Sequence, residues 1–326
     1  MNPAFSVVFL TTLIGVGQGL FIALLSVQGY TTAQFLPAQG DQFYIVGSAI
    51  ALVFLILGLF ASFFHLGHPE RAWRAAAMWR TSWLSREVIV LPLFMGAVFV
   101  YGVLHYIELG GQTTILEQSM PNKEILTLIV GIGGLVACFA LFICTGMIYA
   151  CLKFLQEWHS PLTVINYTIL GMASGFTLAS LYASYINSEL LHFITGWAIT
   201  LTIVGFITRT ASLIRNHRMK YQSSLQTAIG VRHTKIQQKA IGAMGGSFNT
   251  REFFHNKKAS FIKSIKWVFL LMVFIIPIIL LAVGYQQKTL GIFWAAFIIQ
   301  YIGLLAERWF FFAQARHPQN LYYQTI

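Results

Sequence analysis

Apolar residues run along this chain in eight long, nearly unbroken blocks, near 5–28, 43–65, 87–107, 125–149, 161–184, 190–208, 265–284 and 290–312. A helix rising about 1.5 Å per residue needs about 20 residues to cross a hydrocarbon layer about 30 Å thick, and each block meets or approaches that length. The blocks are continuous rather than alternating, which predicts helices and argues against the strands of a membrane barrel. The expected architecture is therefore all-α: a polytopic bundle of about eight transmembrane helices forming one membrane domain over residues 1–326.

Composition agrees with this pattern. Hydrophobic residues make up 57% of the chain and charged residues 10%, with a mean hydropathy of +0.69, too few charges to clothe a soluble domain. The first block has no Lys or Arg before it and no small-residue cleavage pattern after it, so it is expected to be a retained helix rather than a secretion signal.

The net charge of +11 first suggests nucleic acid, but its placement points to topology instead. With eight spans, the termini, the 66–86 loop, the 150–160 turn and the long 209–264 loop share one face, and that face carries all of the 21 Lys and Arg except Lys123 and Lys288. This bias predicts that both termini are cytoplasmic. No nucleic-acid motif accompanies the charge, and no nucleic-acid partner is expected.

Residues 209–264 are basic and contain Gly242, Gly245 and Gly246. They read either as a disordered loop or as a segment that docks a partner through Leu225, Ile229, Val231, Ile236, Phe248, Phe253 and Phe254; docking is the preferred reading. Gly15 and Gly19, and likewise Gly171 and Gly175, have the GxxxG spacing of close helix contacts. Cys138, Cys144 and Cys151 show no CxxC spacing and read as packing residues, not as a metal or cluster site.

Chemistry concentrates in two short runs between the second and third blocks, from Phe64 to Arg74 and from Trp79 to Glu87. They bring together His65, four arginines, three tryptophans, Glu70, Glu87 and two serines at a membrane boundary. One reading is interfacial anchoring, with Trp and Arg at the headgroups, His65 against a helix dipole and Ser85 capping the third helix. The other is a quinone site, which needs a flat apolar slot, a donor to a carbonyl and a path for protons. His65 would serve as donor and relay, Glu87 would pass protons with Arg86 holding it charged, and Arg71 and Trp79 would shape the entrance. Residues His65, Arg71, Trp79, Ser85, Arg86 and Glu87 are thus the candidate quinone-binding set.

A diheme cytochrome would need axial histidine pairs at matching depth, and His65, His105, His159 and His192 do not provide them, so no haem is expected. A solute carrier would need broken helices or a charge near the midplane, and the spans are read as lacking both, Pro277 apart. No cluster, flavin or nicotinamide motif is present, so electrons must come from a docked partner.

The run His65-Leu66-Gly67-His68-Pro69-Glu70-Arg71-Ala72, followed by Ser85-Arg86-Glu87, resembles the DMSO reductase anchor subunit (DmsC) family of complex iron-sulfur molybdoenzymes. Residues 79–87, 144–149, 245–254 and 307–309 resemble the sulfite-oxidising branch of that family. The resemblance spans the chain. It implies a haem-free anchor beside a four-cluster iron-sulfur subunit and a molybdopterin catalytic subunit, both on the cytoplasmic face. It also implies a quinone, ubiquinone or menaquinone, near His65, with sulfite oxidation favoured over DMSO reduction because the basic face carries the His65 loop. A quinol-oxidising reductase, a purely structural anchor and a solute carrier remain as alternatives.

Overall fold

In the computed structural model, residues 1–109, 123–186, 189–237, 255 and 257–318 are described. Eight helices are long and apolar enough to span a membrane, and no strand occurs among the described residues. They are α1 (Phe5–Thr32), α2 (Asp41–Phe63), α3 (Trp83–Leu109), α4 (Lys123–Ala150), α5 (Pro161–Tyr185), α6 (Leu191–Arg218), α7 (Ala259–Gln287) and α8 (Leu290–Gln314).

Two boundaries differ most from the apolar blocks. Helix α6 continues past its last apolar residues to Arg218, because Ala198, Leu201, Thr202, Gly205, Arg209 and Ser212 keep one buried stripe at helical spacing. Helix α7 likewise begins early, at Ala259, so the basic connection is shorter than 209–264. Within it, Ser224 caps a short helical turn, Leu225–Ile229, that ends at Gly230 with a φ of 75°. The glycines at 242, 245 and 246 and the aromatics at 248, 253 and 254 lie outside the described residues.

Helices α1 and α5 form the centre of the bundle; 72% and 67% of their apolar windows are buried, against 33–39% for the other six. Their close crossing comes from the two GxxxG pairs meeting each other. A Cβ at Gly15 would touch the Cα of Gly171, and a Cβ at Gly175 would overlap the backbone of Gly19. Backbone cannot yield as a flexible side chain does. Gly175→Val is therefore expected to cost about 3 kcal/mol or more, read as a lower melting temperature and yield of the detergent-solubilised chain.

Polar side chains stitch further helices to α1. Gln18 donates to the Cys138 carbonyl at 2.9 Å, Gln28 donates to Thr127 at 3.0 Å, and Tyr101 donates to Gln28 at 2.8 Å. Cys138 and Cys144 are buried free thiols, and Cys151 is exposed and free.

The Pro277 irregularity is compensated locally. Proline has no N–H for the carbonyl four residues back, and α7 passes through a π turn, Leu271–Ile275, immediately before it. That carbonyl, Val273 O, instead accepts from Gln300 of α8 at 3.2 Å. Gly303 lets α8 approach the same turn, since a Cβ there would strike Met272 and Val273.

One end of the bundle gathers several distant segments. The Met1 ammonium donates to the Ala315 carbonyl at 2.7 Å, Trp158 donates to the Phe311 carbonyl at 2.9 Å, and Arg215 donates to the carbonyls of Gln156 and His159 at 3.0 and 2.9 Å. The 64–82 loop sits at this same end, because Glu87, one turn into α3, lines a cavity with Leu10 and Thr11 of α1.

Candidate functional site

Helix α2 ends at Phe63, and the next three backbone amides close tight turns: Phe64 N donates to Ala61 O, His65 N to Ser62 O and Leu66 N to Phe63 O. A 3₁₀ helix, Pro69–Met78, follows, with proline at its start where a missing N–H costs nothing. Its side chains are exposed, Trp73 by 72%, and so is Trp79 just beyond it, by 52%. His68 and Arg71 reach Glu70 at 3.0 and 3.7 Å, but these pairs are solvated and contribute little.

His65 lies in the turn, open at the surface, and desolvation by its neighbours lowers its imidazole pKa, so it is neutral at pH 7. A neutral imidazole keeps one ring nitrogen as donor and the other as acceptor. Exposed Phe64 lies beside it in sequence.

Arg86 does not contact Glu87. Its Nε donates to the Trp79 carbonyl and its terminal nitrogen to the Arg80 carbonyl, both at 2.9 Å, and its guanidinium lies 4.2 Å from the Trp83 ring centre. Successive residues on a helix point about 100° apart, so Arg86 locks the loop while Glu87 turns into the bundle. The expected Arg86–Glu87 pairing is thus replaced by a division of labour. Nor does Ser85 cap α3: it is buried inside the first turn, and its amide donates to Ser82 Oγ at 3.4 Å, making Ser82 the capping residue.

Glu87 is only 8% exposed and accepts a 2.5 Å hydrogen bond from Thr145 of α4. Beside it lies a cavity of about 10 Å³, bounded also by Gln18, Phe142 and Tyr167, with room for about one water. None of His65, Arg71, Trp79, Ser85 and Arg86 lines that cavity. The candidate set therefore divides into exposed loop residues, His65, Arg71 and Trp79, a half-buried Arg86 that ties the loop to α3, and two buried α3 residues, Ser85 and Glu87.

The cavity borders a polar network that the sequence leaves largely hidden. Tyr167 stacks on Tyr149 with ring centres 5.6 Å apart, and the Arg308 guanidinium sits 3.6 Å above the Tyr167 ring. Glu307 meets Arg209 at 2.7 Å and Arg308 at 3.4 Å, all three side chains being almost wholly buried. Arg209 and Arg308 accordingly leave the set of surface charges from which the topology is argued. Arg209 reads as part of the basic loop because charge interrupts the apolar run; its place on the α6 stripe, at i+4 from Gly205, is the signal that could have found it. Two guanidiniums share one carboxylate here, and Tyr167, under Arg308, also lines the small cavity beside Glu87.

The other histidines are occupied differently. His105 meets Asp41 at 3.1 Å and stacks on Tyr44, His192 packs on Tyr285, and His159 contacts the Ala150 carbonyl at 2.6 Å. Among the described residues, no group of three His, Cys, Asp or Glu side chains is placed to hold a metal ion.

Comparison with known proteins agrees with the architecture. Residues 1–314 match the family model described as DMSO reductase anchor subunit (DmsC). Over 326 residues, the whole of both chains, the protein is 57% identical to a sulfite dehydrogenase subunit of Allochromatium vinosum. With eight membrane-length helices and a family match over nearly its full length, this chain belongs to the DMSO reductase anchor subunit family.

Proposed function

We propose that this chain is the quinone-reactive anchor of a sulfite-oxidising complex in a bacterial inner membrane, with an iron-sulfur subunit and a molybdopterin catalytic subunit docked on its cytoplasmic face. The observation that carries the reading is the full-length 57% likeness to a sulfite dehydrogenase subunit. The site geometry supports it: an exposed neutral imidazole on an aromatic loop stands at the same end of the bundle as a buried carboxylate.

In this scheme sulfite and water yield sulfate, two protons and two electrons in the partner subunits, and a quinone takes up two electrons and two protons at the anchor. The roughly one-water cavity at Glu87 is far too small for a quinone ring, so the quinone sits on the loop side. Phe64 and Trp79 offer exposed rings as walls, His65 donates to one quinone oxygen, and Arg71 borders the opening. Arg86 and Ser82 hold the loop on α3, with Ser85 packed beneath it. Glu87, hydrogen-bonded to Thr145, supplies the proton store behind the loop. The iron-sulfur subunit, once docked, covers the exposed loop and completes the slot.

His65→Ala should lower sulfite-driven reduction of a short-chain quinone by about 100-fold while the complex still assembles in membranes. Unchanged activity in the variant would move the quinone away from His65. A native complex that reduces quinone with another donor but never with sulfite would sink the sulfite assignment and leave the anchor role standing.

A further inference from the structure

At the end of the bundle where Met1 meets Ala315, an open basin of about 740 Å³ lies between the ends of α6 and α8 and the start of α7. Lys257, Lys263, Lys266, His217 and Arg316 line it, with a floor that includes Leu213, Ile262 and Phe310. Glu157 is the single carboxylate in the lining, and it already accepts from the Tyr221 hydroxyl at 2.9 Å and the Arg316 amide at 3.2 Å. Among the described residues none of the three lysines forms an ion pair, so the basin holds an excess of cations. His255 feels some of those cations: desolvation first, then the nearby amino terminus and Lys257, lower its pKa.

A second cavity, of about 480 Å³, shares Lys257 with the basin. It is walled by Phe5, Phe9, Phe261, Ile265 and Trp309, on the outer faces of α1, α7 and α8. A basic basin joined through one lysine to an aromatic and aliphatic slot at the end of membrane helices has the two-part character of a phospholipid. The head carries the phosphate and the tail is hydrocarbon.

We infer that this pair of cavities is a binding site for an anionic phospholipid, with its phosphate held by Lys257, Lys263, Lys266 and Arg316 and an acyl chain laid along Phe261 and Trp309. A neutral quinone would fit the slot but leave the cations uncompensated, and a free phosphate would leave the slot empty. The inference does not depend on the quinone reading.

The test uses the full-length chain purified in a mild detergent, with phosphatidylglycerol and phosphatidylcholine as probes. Native mass spectrometry should show one retained phosphatidylglycerol, and thermal stability should rise with phosphatidylglycerol but not with phosphatidylcholine. The Lys263→Gln/Lys266→Gln variant should bind phosphatidylglycerol about 30-fold more weakly, the factor expected for two interfacial cations at about 1 kcal/mol each. Ile265→Trp, which fills the slot and spares every cation, should also weaken retention, whereas Lys153→Gln, outside both cavities, should not. Equal binding of the two lipids, unchanged affinity in the double lysine variant, displacement by an equal concentration of inorganic phosphate, or retention of quinone in place of lipid would each overturn the inference.

Discussion

Glu307→Gln is expected to strip folded anchor from the membrane. The substitution keeps the side-chain shape but removes the carboxylate that Arg209 and Arg308 share, leaving two guanidiniums buried without that counter-ion beside them. Removing one partner of a buried ion pair costs about 3–5 kcal/mol, a large share of the roughly 5–15 kcal/mol that holds a typical fold together. The readouts are the amount of chain in membranes and the melting temperature of the solubilised protein. Arg209→Met combined with Glu307→Gln should recover part of the loss, because it removes one of the two unpaired guanidiniums and leaves Arg308 stacked on Tyr167. A Glu307→Gln protein that melts like the native one would mean that the network does not hold α6 to α8.

The second large effect concerns Glu87 and rests on the quinone reading. Glu87→Gln can still accept the Thr145 hydrogen bond, so the bundle should assemble and melt normally, but the amide cannot take up or release a proton. Quinone reduction should fall about 100-fold, the usual order for loss of a positioned acid or base. Thr145→Val makes the comparison sharper: the acid remains, its tether is lost, and the fall should be several-fold smaller. If Glu87→Gln supports native rates in an assembled complex, protons reach the quinone by another route, and Glu87 is a packing residue in the α3–α4 contact.

These expectations differ from those that follow from sequence alone chiefly in the company each residue keeps. The run from His65 to Glu87 stands out in the chain because imidazole, arginine and tryptophan are dense there at a helix end; the structure makes its first part an exposed connection between α2 and α3 and its last five residues the first turn of α3, with Ser85 and Glu87 buried. The pairing of Arg86 with Glu87 follows from adjacency in sequence, which on a helix is a poor guide to adjacency in space. Arg209 escapes notice for a related reason: counted as a loop charge, it is instead a side chain of α6 facing Glu307. Glu307 and Arg308 are neighbours in the chain, in a run that carries the family resemblance, but their contact with α6 and with Tyr167 is not visible there.

The eight spans, the helical first block and the two glycine pairs could be read from the chain because hydrocarbon leaves the backbone no partner but itself. Each apolar block must become a helix, and small residues mark where two such helices can touch. The contacts that give the polar residues their chemistry depend on how separate helices are rotated about their axes. Thr145 and Glu87 are 58 residues apart in sequence, and nothing in either segment names the other. Rotation is set by the packing of the whole bundle, by Gly19 against Gly175 and by Gln300 reaching Val273 on α7, so the inward turn of Glu87 and the burial of Arg209 emerge only when all eight helices are in place.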